Sequence, residues 1–164
     1  MVSITKVNVQ MEKLKQLHES LLYLSREKTE LLKQGETGSL QQLLTQERKH
    51  IQAITKIENE RMHTVTDWCP QQGIELETPT LSGLLGFLED SKEKNLLQSL
   101  FEDLAFLVSE LKQQEQLNAE LTKQSLQFIH LSLDMLQPSL NNVNYNKQTG
   151  VSNKEKRSVF DSKA

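Results

Sequence analysis

The chain has 164 residues, of which 36% are hydrophobic and 25% are charged, and it carries only three prolines and six glycines. This hydrophobic fraction lies below the roughly 45–50% of ordinary globular domains, which favours a helical bundle with a thin core. Few residues are valine, tyrosine or phenylalanine and the net charge is −3, so the composition argues against an extensive sheet and against nucleic-acid binding.

The sequence also predicts a reducing, cytoplasmic environment. Cys69 is the single cysteine, so the chain cannot form an internal disulfide. The segment 1–10 is too short and too polar for the core of a signal peptide. No apolar run approaches the length that spans a bilayer, and we therefore expect no membrane insertion.

The first predicted helix runs from Ile4 to Lys33. Its apolar residues recur in alternating steps of three and four, a repeat that Lys28 interrupts: Val7, Met11, Leu14, Leu17, Leu21, Leu24 and Leu31. Such a stripe is typical of helices that pack at a shallow angle. Gly35 is suited to the left-handed residue that ends a helix, and the short turn around it predicts an antiparallel hairpin.

The second predicted helix begins at Leu40, because Ser39 and Gln42 form a capping-box pair. It ends near Trp68, where Pro70 is expected to stop it. Glu47 and Arg61 lie close to its apolar stripe and are expected to extend towards solvent at the edges. That stripe consists of Leu40, Leu43, Leu44, Ile51, Ile54, Ile57, Val65 and Trp68.

A linker over 70–80 precedes a short helix, Leu81 to Glu89, which starts at Thr78-Pro79 or at Thr80. Gly83 and Gly86 weaken this helix, so it should depend on docking. The long helix begins at Asp90 or Ser91, and the sequence leaves open whether the short and long helices are continuous.

The long helix is expected to end at Pro138, and residues 139–164 are expected to be mobile because they are polar. The predicted fold is all-α: an antiparallel helical hairpin plus one short and one long C-terminal helix, forming a coiled-coil-like three-helix bundle. The predicted domains are a helical bundle over 1–137 and a flexible polar tail over 138–164.

Motifs for catalysis or cofactor binding are not found in the sequence. It contains neither a glycine-rich phosphate loop nor a nucleophile elbow, and no base is placed next to Cys69. Two Glu-x-x-His patterns, Glu47/His50 and Glu60/His63, invite a di-iron interpretation. Both lie on one helix, roughly 20 Å apart, and therefore cannot share a metal pair. We predict no enzyme activity, no metal and no cofactor.

The C-terminal half of the long helix carries more apolar residues than one packing stripe requires. On a helical wheel they form two arcs. The first contains Leu117, Leu121, Phe128, Leu131 and Met135, and the second contains Leu126, Ile129, Leu133 and Leu136. Small polar residues between the arcs allow another helix to approach closely. The residues predicted to bind a partner are Asn118, Ser125, Leu126, Phe128, Ile129, Ser132, Leu133 and Leu136.

Three interpretations of these arcs stay open. Both arcs could be core, or one could form a homodimer, as in a structural coiled-coil adaptor. Alternatively, one arc binds an amphipathic segment of a partner, which is what a chaperone needs. The sequence does not decide which arc faces the bundle.

The run from Leu117 to Leu136 resembles the C-terminal helix of the FlgN-type flagellar export chaperones. Several earlier features agree in order and spacing: Glu27-Lys28 with Leu31, the Gly35 turn, Leu43-Leu44, Glu47-Arg48, Glu58 with Arg61, and Thr80-Leu81-Ser82. The resemblance implies a cytoplasmic chaperone of flagellar type III export. Such a protein binds the C-terminal helical segments of hook-associated proteins, prevents their premature assembly and aids their delivery to the export gate.

On this chain the resemblance places substrate binding at Leu126 to Leu136. It leaves open which hook-associated protein is preferred. It also leaves open whether Tyr145 or Phe160 contacts the export gate.

Overall fold

The computed structural model describes residues 4–75, 77 and 80–148, and the side chains of these residues as far as 137. This part of the chain forms four α-helices and no strand: α1 (Ile4–Gln34), α2 (Thr37–Gln71), α3 (Leu81–Phe87) and α4 (Lys92–Gln148). The all-α prediction is therefore confirmed. Among the described residues, no helix is both long enough and apolar enough to cross a membrane. The chain divides into two compact units, Met1–Thr122 and Lys123–Ala164.

The hairpin turn follows from one glycine. Gly35 adopts a φ of 71°, and the amide of Glu36 donates to the carbonyl of Leu31 at 3.1 Å, which closes α1. The predicted start of α2 at Leu40 is wrong, because the helix begins at Thr37. Glu36 is its N-cap and makes no side-chain capping bond, while its carbonyl accepts from the amide of Leu40 at 3.0 Å. The helix thus starts directly after the turn, without a cap from Ser39.

Two glycines near this turn should respond in opposite ways to substitution by alanine. Gly35→Ala should lower the free energy of unfolding by about 1 kcal/mol, because a side chain is strained at positive φ. Gly38→Ala should leave it unchanged or raise it by up to about 1 kcal/mol, because Gly38 lies in α2 with open space around it. Urea unfolding followed by circular dichroism measures both, and equal effects of the same sign would contradict the assigned turn.

The order of contacts along the helices gives the direction of each one. Between α1 and α4, Asn8 Nδ2 donates to the carbonyl of Glu93, and Lys15 Nζ pairs with Asp103 Oδ2 at 2.8 Å. These partners are 85 and 88 residues apart, and this nearly constant offset means that α1 and α4 run parallel. The same offset places Gln34, the last residue of α1, near the level of Thr122 on α4.

The helix α2 runs antiparallel to α1. Gln10 Nε2 donates to Thr64 Oγ1 at 3.0 Å, whereas Lys28, further along α1, pairs with Glu47, which comes earlier in α2. The main core lies where the start of α1, the end of α2, α3 and the start of α4 meet. Its buried residues are Val7, Met11, Leu14, Val65, Trp68, Cys69, Leu84, Leu97 and Leu100.

The sequence allowed two possible starts for the short helix α3, and the structure has the one at Thr80. Thr80 is its N-cap, and the Thr80 hydroxyl accepts from the amide of Gly83 at 3.2 Å. It ends at Phe87, two residues before the predicted end, because Leu88 is extended. The short and long helices are therefore separate. Ser91 precedes α4, and its hydroxyl accepts from the amide of Lys94 at 3.1 Å.

Two prolines do not stop helices as predicted. Pro70 lies inside α2, which continues to Gln71, and α4 continues through Pro138 to Gln148. A proline removes the hydrogen bond that its nitrogen would donate and its ring crowds the carbonyl of residue i−4, yet both helices continue past their proline. The segment 139–148, expected to be mobile tail, is therefore helical.

The remaining predictions for the tail lie outside the described residues. They include the role of Phe160. Tyr145 lies on α4, but its side chain is not described. The division into a bundle domain over 1–137 and a tail over 138–164 stays a prediction.

The prediction that Glu47 and Arg61 extend to solvent is wrong. They are only 7% and 5% exposed, and each is neutralised by an ion pair, with Lys28 and Glu58 respectively. Conversely, two aliphatic residues of the predicted apolar stripe of α2 are exposed: Leu44 is 43% exposed and Ile51 is 53% exposed. These two residues lie more than 100° around α2 from Ile57, at about 100° per residue, so a single stripe could not bury all three.

Candidate functional site

Four apolar residues of the second predicted arc are uncovered. Leu126, Ile129, Leu133 and Leu136 are each between 51% and 57% exposed. At about 100° per residue they share the helical phase of Leu97, Leu100 and Leu104, which α4 uses in the bundle.

The first arc is exposed as well. Phe128 and Met135 are each 70% exposed, and Leu131 is 59% exposed. Neither arc is therefore buried between residues 123 and 137. We name the exposed apolar residues of this segment the distal apolar surface: Leu126, Phe128, Ile129, Leu131, Leu133, Met135 and Leu136. Contiguous apolar surface of this kind usually marks an interaction site.

The two predicted serines lie among these residues. Ser125 is exposed, and the hydroxyl of Ser132 donates to the carbonyl of Phe128 at 2.8 Å. The Ser132 hydroxyl is thus satisfied by its own helix, so another helix could pack over it without leaving a polar group unpaired. Both positions present small side chains, which permits close approach of a partner backbone.

Asn118 is placed differently from the other predicted site residues. It is 2% exposed, its Nδ2 donates to the carbonyl of Ser25 at 2.9 Å, and its Oδ1 accepts from the Thr29 hydroxyl at 2.6 Å. The structure therefore gives Asn118 a role in joining α1 to α4, and it does not bring this side chain to the distal apolar surface. In the sequence, Leu104, Leu107 and Leu111 recur in steps of three and four, and Asn118 follows Leu111 by seven residues on the same side of the helix. This spacing was the signal for the burial of Asn118.

Asn118 belongs to a polar cluster that sequence reasoning missed. Its centre is Lys28, whose side chain is 12% exposed and whose Nζ lies 2.8 Å from Glu47 Oε1 and 2.9 Å from Glu115 Oε2. The hydroxyl of Ser25 donates to Glu115 Oε1 at 2.6 Å. We name the following set the polar layer: Ser25, Lys28, Thr29, Glu47, Gln114, Glu115 and Asn118. It joins all three long helices.

The polar layer keeps Lys28 charged. Burial disfavours the ammonium, but its hydrogen bonds to Glu47 and Glu115 outweigh this effect, so the pKa of Lys28 lies above its ordinary value of 10.5. The sequence signal was the interruption of the apolar repeat of α1 by this lysine. A charged residue at a packing position often meets its opposite charge on a neighbouring helix.

The structure offers little for catalysis at Cys69. The thiol is 4% exposed, and burial raises the pKa of Cys69 above its ordinary value of 9.0, so it stays protonated at neutral pH. Among the residues that the structure describes, no three His, Cys, Asp or Glu side chains are grouped to hold a metal ion. In the Glu-x-x-His patterns, Glu47 pairs with Lys28, and His50 Nε2 is bonded to the Ser20 hydroxyl at 2.8 Å.

Two comparisons with known proteins give matches. The model of the family described as FlgN protein matches residues 1–153, which include all four helices. The uncharacterized protein YvyG of Bacillus subtilis (strain 168) is 41% identical over 157 residues, which cover 94% of this chain and 95% of that protein. No solved structure matches the chain.

Proposed function

Because the chain belongs to the FlgN family, a family of flagellar export chaperones and not of enzymes, we propose that it binds hook-associated proteins, which join the flagellar hook to the filament. It holds these proteins in the cytoplasm before secretion and prevents their premature assembly. It then aids their delivery to the export gate. The contact is made with the C-terminal helical segments of the hook-associated proteins.

The distal apolar surface is the observation that supports this proposal. It presents seven large apolar side chains within residues 126–136, each at least half exposed. A helix that lays its own apolar face against such a surface gains the free energy of removing both from water. The binding residues are thus Ser125, Leu126, Phe128, Ile129, Ser132, Leu133 and Leu136, whereas Asn118 acts by holding α4 against α1.

A second candidate is a structural adaptor in which two copies of the chain pair through the same surface. Two-stranded pairing would bury the same leucines and would compete with capture of a partner. Analytical ultracentrifugation separates the candidates. A stable dimer that does not dissociate when hook-associated protein is added would favour the adaptor.

The direct test is a pull-down with the tagged chain from flagellated cells. We expect hook-associated proteins to co-purify with the intact chain. A matched sample that lacks residues 137–164 shows whether the C-terminal segment is needed for their capture. If neither sample enriches hook-associated proteins over an untagged control, the proposal is wrong.

A further inference from the structure

An open groove lies between α1 and α2. It holds a cavity of about 490 Å³, and α4, as far as its side chains are described, contributes no residue to its lining. The apolar residues of the lining are half-buried: Leu17, Ala53 and Ile57. We name it the α1–α2 groove. On α1 it extends from Lys13 to Ser20, which is about 10 Å or two helical turns.

The order of the lining residues decides which side chains face each other across this groove. Because α1 and α2 are antiparallel, Ser20 lies opposite His50, and Ser20 Oγ is 2.8 Å from His50 Nε2. His50 Nδ1 donates to the carbonyl of Gln46 at 2.9 Å, so Nε2 of the neutral ring accepts from the Ser20 hydroxyl. By the same antiparallel order, Lys13 and Lys56 face each other at the opposite end of the groove. That end therefore carries one ammonium group on each wall.

The charges of Lys13 and Lys56 are not compensated in the part of the chain that the structure describes. Both side chains are exposed, no described carboxylate pairs with either of them, and the residues that line the groove include no acid. Glu12, the neighbour of Lys13 in the chain, accepts instead from Gln16 Nε2 at 3.2 Å. The groove is thus locally positive on a chain whose net charge is −3.

The other side of α1 shows how this hairpin receives a helix. Lys15 lies about 160° around α1 from Lys13 and pairs with Asp103 of α4 at 2.8 Å. Further along, Arg26 of α1 pairs with Glu110 of α4 at 3.6 Å. The helix α4 therefore brings carboxylates to the cations of α1 at the edge of its apolar packing face. The α1–α2 groove combines apolar residues and cations in the same way, but the described chain places no acidic helix there.

We propose that the α1–α2 groove is a second docking surface, and that its occupant is an acidic amphipathic helix of a partner protein. The apolar stripe of this helix lies on Leu17, Ala53 and Ile57, and the small side chain of Ala53 lets its backbone approach closely. Carboxylates on both edges of the stripe pair with Lys13 and Lys56, and this charge complementarity identifies the occupant. The site uses no residue of the distal apolar surface and does not depend on the function proposed for it.

The probe is a synthetic, fluorescently labelled helical peptide of about 18 residues, with leucines and alanines at i, i+3 and i+4 and glutamates on both edges of this stripe. Its matched control carries lysines in place of the glutamates. Fluorescence anisotropy with the full chain should show saturable binding of the glutamate peptide and at least about tenfold weaker binding of the lysine peptide. Equal affinity for both peptides, or no binding of either, would overturn the proposal.

Reversal of the two groove charges should reverse this preference. Lys13→Glu/Lys56→Glu should bind the lysine peptide more tightly than the glutamate peptide, because the pairs are restored with opposite signs. The matched control is Lys92→Glu/Lys112→Glu, which changes the net charge equally at exposed positions of α4 and should keep the original preference. Ala53→Trp keeps both lysines but fills the groove, so it should weaken binding of the glutamate peptide at least about tenfold.

Circular dichroism checks that each variant keeps its helix content. An unchanged preference in Lys13→Glu/Lys56→Glu, or unchanged affinity in Ala53→Trp, would contradict docking in the groove. Loss of binding in Leu133→Asp would place the peptide on the distal apolar surface instead. Vesicles of phosphatidylglycerol that bind through the same two lysines, when the glutamate peptide does not bind, would assign the groove to a membrane surface and overturn the proposed occupant.

Discussion

The double substitution Ile129→Asp/Leu133→Asp is expected to weaken binding of the C-terminal segment of a hook-associated protein at least about hundredfold. Both side chains are about half exposed, at 51% and 55%, so the charges are well solvated in the free chain. In the complex they would be buried against apolar side chains without partners, which is costly. The effect should therefore fall on binding and leave the helix content unchanged.

Isothermal titration calorimetry with the purified segment measures this loss, and circular dichroism measures the helix content. The matched control is Gln127→Asp/His130→Asp, which also adds two carboxylates to the same part of α4 but on its polar side. This control should bind within about threefold of the unaltered chain, since charges at the rim of an interface contribute little. Equal losses of affinity in both double variants would show that added negative charge anywhere on this part of α4 weakens binding. A loss of helix content in Ile129→Asp/Leu133→Asp would show that these two residues stabilise the folded chain.

Local backbone chemistry explains which helix boundaries were predictable. The left-handed Gly35 and the Thr80 cap each depend on a few neighbouring residues, and the structure has both. The helices α2 and α4 continue past Pro70 and Pro138, where the sequence predicted their ends, for a different reason. A proline disfavours a helix by a limited free energy, and whether the flanking residues outweigh this cost is not set by the proline itself.

Burial was less predictable than helix formation, because it depends on the register between helices. The sequence identified the apolar residues of α4 but not which of them pack against α1. That follows from the parallel offset between α1 and α4, which contacts such as that between Thr29 and Asn118 reveal. For the same reason the sequence pattern groups Asn118 with the partner-binding residues, although it lies in the bundle. Lys28, Glu47 and Glu115 are far apart in the sequence, and only the fold brings them together.

The substitution Lys28→Met is expected to lower the free energy of unfolding by about 3 kcal/mol, the largest loss we expect from a single change in the polar layer. It removes the cation that lies within 3 Å of both Glu47 and Glu115. The side chain of Glu47 is only 9% exposed, so its carboxylate would stay buried without a counter-charge, whereas Glu115 is 43% exposed and can be hydrated. Urea unfolding at neutral pH measures the change.

If the loss arises from the unpaired carboxylate, a second substitution should reverse most of it. Lys28→Met/Glu47→Leu replaces the pair by apolar groups and should bring the free energy of unfolding to within about 1 kcal/mol of the unaltered chain. Lys33→Met is the matched control, because it breaks the exposed α1 pair with Glu30 and should cost less than about 1 kcal/mol. The pKa of Lys28 is raised in the folded chain, so the stabilisation by its charge is fully present below about pH 10.5 and is lost as the pH rises further. The unaltered chain should therefore lose stability relative to the double variant above that pH. A double variant as unstable as Lys28→Met would instead mean that the loss arises from the broken pair with Glu115 and not from the unpaired Glu47.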